Sequence, residues 1–420
     1  MTTPPPGTPP APAYELPFAP IAIHDAGGAA ALAPAPSDTL RDAYVGPFGG
    51  ERRNGRLAWP LTPGHWSIET SWDLLPDLYP RAVYATGDRV LVHGGDLWQL
   101  FAADGRSLAK GRLGAGGTTL DPARGCFYAA DPTGPLRVWK LADGAAAFAI
   151  EPYFGANYER AHVARHGDAI TIGSIERVSD PHGGHRPKVT ALEVQRVAEA
   201  PAVTRAGFLE RTDRPGKLML SSADVAIAGS ETGLVVASHD TIYLAGPDLK
   251  IASALRGSFD ALAVSLDERD RIVLLARAGT ETFVWMLERD GRRLFACDVE
   301  AIAAADVTPP AIGLDHRVWV RAGRRLTAIG PEGRRLATGV AAAPYAGLTL
   351  TRDGWALATE GSSVVALRPA TTAKEAGTFE RHVLFTAPDG PLATPAVLLA
   401  DGKMVVCSGR RLYRLAASLE

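Results

Sequence analysis

Short runs of β-branched and aromatic residues alternate with tight-turn residues from about position 80 onward. An Asp-centred turn separates two such runs in TGDRVLV, HGDAITI, DERDRIVLL, LDHRVWV and ADGKMVV. A second turn follows one strand later, in LWQLFAADGRSL, VWKLADGAAAF, VWMLERDGRRL and LTAIGPEGRRL. Asp and Gly supply the backbone angles that tight hairpins need. Helical periodicity is nearly absent, so the pattern predicts an all-β fold.

The two turn signals recur in fixed order about eight times, with a mean period of roughly 45 residues, which is typical of four-stranded propeller blades. An insertion at 176–187 and the segment 201–222 interrupt the spacing in units three and four. We therefore predict a β-propeller of about eight four-stranded blades, with seven blades as the alternative. The units begin near Val83, Thr119, His162, Asp224, Leu262, Ile312, Leu348 and Ala396.

The N-terminal residues 1–55 have a different texture, rich in Pro and Ala, and we expect a largely irregular arm. The propeller domain is expected to span 56–420. The last unit supplies only three strands, and an open sheet edge leaves unpaired backbone groups. We therefore predict that a strand from 56–80 completes the last blade and closes the ring.

Two units come nearest to a known repeat: PAIGLDHRVWVRAGRRLTAIGPEGRRLAT and TPAVLLADGKMVVCSGRRLYRLA. Each has a strand, a tight turn, a V-x-V strand and a further apolar strand in succession. In this order they resemble repeats of the quinoprotein-like (PQQ-type, WD-like) propeller superfamily. The resemblance covers about 80–415 and implies the propeller fold. The Trp-containing ending that is usual for the family's repeats is missing, so its activity is not carried over.

Composition narrows the classes of function. Lys and Arg number 44 against 46 Asp and Glu, a formal net charge of −2, which argues against a nucleic-acid partner. No apolar run is long enough for a membrane span, and no secretory signal is recognised. The three cysteines are widely spaced and fit buried positions in a reducing compartment. We expect a cytoplasmic bacterial protein without a cofactor.

Candidate binding residues lie in the connections between units and in the turns between second and third strands, which share one face of a propeller. Exposed aromatic residues on such a face are typical anchors for a protein partner. The alternative is that these rings fill gaps between blades. Arg324 and Arg410, from two of the four GRRL strings, belong to the same face. The aromatic candidates are Tyr153, Phe154, Tyr158, Phe259 and Tyr345.

Weaker candidates exist for a metal. His182, His185 and Asp180 occur in SDPHGGHRPK, but Gly183 and Gly184 favour a flexible loop over a rigid ligand frame. We therefore predict no metal site, with these three residues as the candidates if one exists.

Enzymatic motifs are missing from the sequence: there is no G-x-S-x-G, no H-E-x-x-H, no Walker A loop and no dinucleotide fingerprint. The favoured function is a non-enzymatic scaffold that binds a partner protein, such as an accessory subunit of a bacterial multi-protein system. One alternative is a lactonase-like hydrolase at the channel mouth, using Asp224, Asp260 and His162. The other is a carbohydrate- or peptide-binding propeller.

Overall fold

A computed structural model describes most of the repeated part of the chain. The described residues are 23–25, 55, 57, 59–61, 63–86, 88–112, 118–130, 135–150, 158–166, 169–176, 186–197, 200–210, 225–230, 232–245, 251–303, 307–371 and 377–418. Within these ranges helical structure is limited to one short 3-10 turn, Pro122–Arg124. No helix of the described residues has the length and apolar character needed to cross a bilayer.

Two strands precede the repeated units, and the first repeated sheets follow in chain order. The strands before the repeats are β1 (Ile23–Asp25) and β2 (Trp66–Asp73). The first three sheets contain β3 (Ala82–Ala85), β4 (Arg89–Gly94), β5 (Leu97–Ala102) and β6 (Ser107–Arg112); β7 (Thr118–Asp121), β8 (Cys126–Ala130), β9 (Leu136–Lys140) and β10 (Ala146–Ile150); and β11 (Tyr158–His166), β12 (Ala169–Glu176), β13 (Arg186–Val197) and β14 (Ala200–Glu210).

The remaining strands form one six-stranded sheet and three sheets of the usual size. They are β15 (Val225–Ser230), β16 (Gly233–Ala245), β17 (Ile251–Leu266), β18 (Ile272–Ala278), β19 (Glu281–Leu287) and β20 (Arg293–Val299); β21 (Ala311–Ile312), β22 (Val318–Ala322), β23 (Arg325–Ile329) and β24 (Arg335–Val340); β25 (Tyr345–Leu350), β26 (Ala356–Glu360), β27 (Ser363–Pro369) and β28 (Phe379–Thr386); and β29 (Val397–Leu398), β30 (Met404–Cys407) and β31 (Arg411–Ala417).

The described strands form seven antiparallel sheets, and the predicted all-β propeller is confirmed. The number of sheets matches the seven-blade alternative. The fourth and fifth sequence units both fall in the six-stranded sheet, because β16 and β17 each continue through a shift in ladder register. These shifts occur between His239 and Thr241 and between Ala261 and Ala263. The repeat count therefore exceeds the sheet count by one.

Tight turns create the hairpins as the sequence pattern predicts. Gly105, in the second kind of turn, joins β5 to β6 with a φ of +84°, a conformation that a residue with a Cβ rarely adopts. The Asp residues close their own turns: Asp267 Oδ1 accepts from the amides of Arg269 and Arg271 at 2.9 Å each. Asp290, in the second kind of turn, accepts from the amide of Arg292 at 2.8 Å. The prediction that these Asp residues are turn formers is confirmed.

Alternate side chains of each central strand enter two different cores. In β18, Ile272 and Leu274 pack with residues of β15 and β16, whereas Val273 and Leu275 pack with residues of β22. All four are fully buried. A strand buried on both faces lies between two neighbouring layers, as in a propeller whose sheets pack face to face around an axis.

Hydroxyl groups of residues in β3, β17 and β25 link one sheet to the next. Tyr84 Oη donates to the Thr118 carbonyl at 3.2 Å, Ser265 Oγ to Pro310 at 2.7 Å, and Thr349 Oγ1 to Ala396 at 2.8 Å. In each case the acceptor lies at or just before the first strand of the following sheet. First strands of successive sheets are also neighbours in space, including β21 with β25 and β29 with β3. They therefore converge on a common central channel.

The sheet formed by the final strands is completed from the N-terminal side. β2 pairs antiparallel with β31, from Trp66 opposite Ala417 to Asp73 opposite Arg411. The strand order is β2-β31-β30-β29, so β2 is the outer strand of this sheet. This strand lies within 56–80, the range from which the sequence predicts a closing strand.

A second N-terminal strand adds to a different sheet. β1 pairs with β10 through Ile23 opposite Ile150 and Asp25 opposite Phe148, giving that sheet five strands. The expected arm at 1–55 therefore contains one strand within its described residues. The rest of the arm, apart from Gly55, lies outside the described part of the chain.

Candidate functional site at the channel mouth

An N-terminal segment, called segment 55–61 for its described residues 55, 57 and 59–61, lies along the free edge of β25 and enters the central channel. The Leu350 amide donates to the Gly55 carbonyl at 2.8 Å, and the Leu57 amide donates to the Leu350 carbonyl at 2.7 Å. This alternation is the pattern of a parallel β-bridge. Further along, the Leu61 amide donates to Asp353 Oδ1 at 3.0 Å. Leu57 and Leu61 are each only 4% exposed, so the segment fills this part of the channel with apolar side chains.

Above this segment a pocket with a cavity volume of about 150 Å³ remains at one end of the channel. Its walls come from residues at or before the first strands of four sheets, and from one second strand. We call this end of the channel the channel mouth. The lining residues are Gly55, Arg81, Thr308, Pro309, Ala311, Arg321, Ala346, Gly347, Leu348 and Pro395.

Two glycines allow the walls to approach this closely. Gly55 has a φ of +68°, and a Cβ there would lie 3.0 Å from the Ala311 Cβ. A Cβ on Gly347 would lie 2.5 Å from the Pro395 Cα, a distance that real side chains do not adopt. The position of the pocket floor and of one wall thus depends on residues without side chains.

Two guanidinium groups supply the charge of the pocket. Arg81 directly precedes β3 and is exposed, and its amide donates to the His93 carbonyl at 2.9 Å. Arg321 is partly buried near the end of β22, and its Nη1 donates to the Tyr345 carbonyl. None of the described lining residues is acidic. The pocket can therefore receive an anionic group, which arginine binds through two parallel hydrogen bonds.

A buried histidine lies beside Arg81. His93 is 8% exposed, and its burial lowers its pKa to about 4, an effect to which the positive charge of Arg81 adds. The imidazole is therefore neutral at neutral pH. The charge of this edge of the channel mouth comes from the arginine, with no contribution from His93.

A large aromatic side chain stands on the same connection as Arg81. Tyr79 is 72% exposed, the most exposed of the large apolar side chains in the described part of the chain. The connection is held against β4, because the Arg81 amide donates to the His93 carbonyl at 2.9 Å and a Cβ on Gly94 would lie 1.8 Å from the Tyr79 carbonyl oxygen. A ring on a connection held in this way costs less conformational entropy when a partner covers it.

Two of the aromatic residues predicted to bind a partner are held inside the protein. Tyr345, at the start of β25, is 6% exposed, and burial raises its pKa to about 12. Phe259 is partly buried and packs edge-on against Trp285, with the ring centroids 5.2 Å apart. Both placements are what the alternative interpretation, rings that fill gaps between blades, predicts.

The two predicted arginines lie on the surface, in turns between second and third strands. Arg324 follows Gly323, and its Nε donates to the Ala341 carbonyl at 2.8 Å. Arg410 lies in the turn between β30 and β31. These turns are at the same face as the channel mouth, as predicted. Neither arginine lines the pocket.

The other predicted residues fall outside the described part of the chain. They are Tyr153, Phe154, the side chain of Tyr158, and the metal candidates His182, His185 and Asp180. Asp224 and the His162 side chain, named for a hydrolase, lie outside it too, and Asp260 does not line the pocket. Among the residues that are described, no group of three His, Cys, Asp or Glu side chains could hold a metal ion.

Sequence reasoning missed Arg81, Arg321 and Tyr79. The first and third belong to YPR, directly before the first strand of the first unit, where blade-to-blade connections are expected. Their position in such a connection could have identified both residues as candidates from the sequence. Arg321 had no such signal, because the strand pattern does not reveal which end residue of a second strand faces the channel.

Comparisons with known proteins show the fold. No protein-family model matches the chain. No curated protein matches it either. Among solved structures, the quinohemoprotein alcohol dehydrogenase of Comamonas testosteroni gives a TM-score of 0.63 at 12% identity, covering 92% of this chain and 83% of that one. The quinohemoprotein alcohol dehydrogenase of Pseudomonas putida HK5 gives 0.62 at 12%, covering 90% and 81%. A europium-containing methanol dehydrogenase gives 0.60 at 10%, covering 90% and 99%.

These likenesses confirm the predicted resemblance to quinoprotein-like propellers at the level of fold. They do not extend to a quinone or metal site at the channel-mouth pocket. The described residues of segment 55–61 lie in the channel beside β25, and the pocket volume of about 150 Å³ is too small for a cofactor of several fused rings. The described lining also lacks the carboxylates that would hold a hard metal ion.

Proposed function

We propose that this chain is a protein-interaction scaffold that binds a partner protein over the channel mouth. The observation that carries the proposal is the 72% exposure of Tyr79, on the connection that also supplies Arg81. Tyrosine and arginine are the residue types most enriched among the energetic centres of protein interfaces. Their position beside a concave pocket supports recognition of a protruding side chain.

Three further features support a binding role for this face. Arg324 and Arg410 are exposed on it and add positive charge around the pocket. The connection that contains Tyr153, Phe154 and Tyr158 also belongs to this face in the repeat pattern. Finally, Gly55 of the N-terminal segment lines the pocket, and Leu57 and Leu61 further along it are buried, so that a partner meets a recess and not an open channel. A recess with a polar rim is typical of interface centres.

The test is a comparison of baits in cells that naturally express the chain. Wild-type protein, Tyr79→Ala and the Tyr153/Phe154/Tyr158 triple alanine variant are used to capture partners. Val383→Ala, which trims a 47% exposed side chain on the outer strand β28, is the matched control. The captured partner is then purified and its affinity for each variant is measured by titration.

We expect the wild type and Val383→Ala to bind the purified partner equally. Tyr79→Ala should weaken binding at least tenfold, because a buried tyrosine at an interface centre contributes about 2 kcal/mol or more. Equal affinity of the wild type and Tyr79→Ala for the same partner would place the interface elsewhere on the propeller.

A further inference from the structure

The pocket at the channel mouth combines two kinds of surface. Arg81 and Arg321 contribute guanidinium groups, while Pro309, Leu348 and Pro395 contribute apolar walls. Such a combination suits a ligand with a charged end and a short hydrocarbon stem. Arginine pairs bind carboxylate oxygens in a fork geometry, and apolar walls favour methylene groups.

The two arginines are arranged differently toward this space. Arg81 is exposed, and its contacts within the described part of the chain are the hydrogen bond from its amide to the His93 carbonyl and the approach of its charge to the His93 ring. Arg321 is partly buried, and its hydrogen bond to the Tyr345 carbonyl fixes the direction of its side chain. One guanidinium is therefore preoriented at the inner wall, and the other can close over a ligand from the rim.

The size of the pocket limits the ligand. A cavity of about 150 Å³ accommodates a molecule the size of benzene, about six non-hydrogen atoms. The side chain of glutamate beyond its Cα has a similar size. A phosphate group would match the arginines but would leave the apolar walls in contact with strongly hydrated oxygens.

We propose that the channel-mouth pocket binds the carboxylate of an acidic side chain, glutamate in the first instance, presented by a segment of the partner protein. This inference rests on the proposed scaffold function, because the acidic side chain belongs to the partner. In such a complex Tyr79 covers the peptide backbone at the rim, and the carboxylate lies between Arg81 and Arg321.

The test uses the full-length chain and defined probes. An acetylated and amidated peptide Gly-Gly-Glu-Gly-Gly is compared with the same peptide carrying Gln in place of Glu. Free glutarate and inorganic phosphate form two further arms. Binding is followed by ligand-observed NMR, which detects affinities down to the millimolar range.

We expect the Glu peptide to bind and the Gln peptide to bind at least tenfold more weakly. Arg81→Gln should lower the affinity for the Glu peptide about tenfold, and Arg81→Lys should recover part of it. Arg106→Gln removes the same charge from an exposed position in the turn between β5 and β6, outside the pocket, and should change the affinity less than twofold. Because Arg81 is exposed, its variants should keep the wild-type unfolding midpoint.

Several outcomes would overturn the inference. Equal binding of the Glu and Gln peptides, or an equal loss in Arg81→Gln and Arg106→Gln, would exclude a specific carboxylate site. Phosphate that displaces the Glu peptide at lower concentration than glutarate would assign the pocket to phosphate. Glutarate binding without peptide binding would assign it to a free small acid.

The same measurements separate this inference from the proposed function. If Tyr79→Ala lowers the affinity for the partner protein while Arg81→Gln does not, the scaffold function is supported and the carboxylate site is excluded. If the Glu peptide binds but Tyr79→Ala leaves the partner's affinity unchanged, the pocket stands and the proposed interface fails.

Discussion

The two ends of the central channel are built in opposite ways. At the end reached by Leu61, polar groups are bound to one another: the Leu61 amide donates to Asp353, and Thr351 Oγ1 donates to the same carboxylate at 2.6 Å. At the channel mouth, Tyr79 and Arg81 are exposed. The face of Asp-centred turns uses these polar side chains for its own folding, whereas the channel-mouth face presents Tyr79 and Arg81 to solvent. The comparison indicates which face a partner would contact.

The largest expected effect on stability is on the face of Asp-centred turns, which we call the self-contained face. Asp267 is fully buried and holds two backbone amides, and its carboxylate is paired with Arg271 at 2.6 Å. Asp267→Ala should lower the free energy of unfolding by about 3–5 kcal/mol, because it leaves a partly buried guanidinium without this carboxylate. Urea unfolding measures the change. The control Asp104→Ala, in an exposed turn, should lose about 1 kcal/mol or less; equal losses would contradict the comparison.

The second largest loss of stability is expected from the apolar side chains that fill the channel. Leu57→Ala creates a cavity in a core position and should destabilise the protein by about 3 kcal/mol. Leu314→Ala trims a 38% exposed leucine in a turn of the self-contained face and should change stability by less than about 0.5 kcal/mol. If both variants unfold at the same urea concentration, the segment 55–61 does not pack in the channel.

The channel mouth should make stability depend on pH through His93. Its folded-state pKa is lowered to about 4, below the ordinary value of 6.5. The unfolded chain therefore binds more protons between these values, and the contribution to stability is complete above pH 6.5 and is lost as the pH falls toward 4. The loss should amount to roughly 2–3 kcal/mol. Unfolding of His93→Gln at several pH values should show a smaller slope in this window; an unchanged slope would contradict the prediction.

The smallest effect on stability is expected at the exposed rim. Tyr79→Ala and Arg410→Gln should each change the free energy of unfolding by less than about 0.5 kcal/mol, because their side chains make few internal contacts. Urea unfolding of these two variants, measured together with that of Asp267→Ala, compares the contributions of the two faces to stability. A loss of more than about 2 kcal/mol from Tyr79→Ala would mean that the ring serves the fold.

The parts of the fold that were predictable depend on local signals. Gly105 and Asp290 create their hairpins through contacts within a few residues, so the turn pattern can be recognised in the sequence. The three cysteines, predicted to be buried and unpaired, are so. The closing strand follows from a general need, the pairing of an open edge. Each of these inferences uses either a short sequence separation or a rule of sheet geometry.

The parts that were not predictable depend on contacts between distant positions. The hydrogen bond from Leu61 to Asp353 joins residues 292 positions apart, and no local pattern marks it. Arg81 and Arg321 share a pocket only because the ring brings their sheets together. Tyr345 was predicted to be a partner contact from its position in a connection, but its burial depends on packing against neighbouring sheets. The candidate site therefore became visible only with the fold.

The pairing of β2 with β31 has a consequence for how the protein is made. Ser67 and Ser418, whose hydroxyl groups lie 3.5 Å apart across this sheet, are separated by 351 positions. A ribosome that adds about 5–20 residues per second needs roughly 20–70 s between them. During that interval β2 lacks the strand with which it pairs, and its backbone hydrogen-bonding groups are available to other nascent chains. Chaperone occupancy of the emerging polypeptide should therefore persist until β31 has left the exit tunnel.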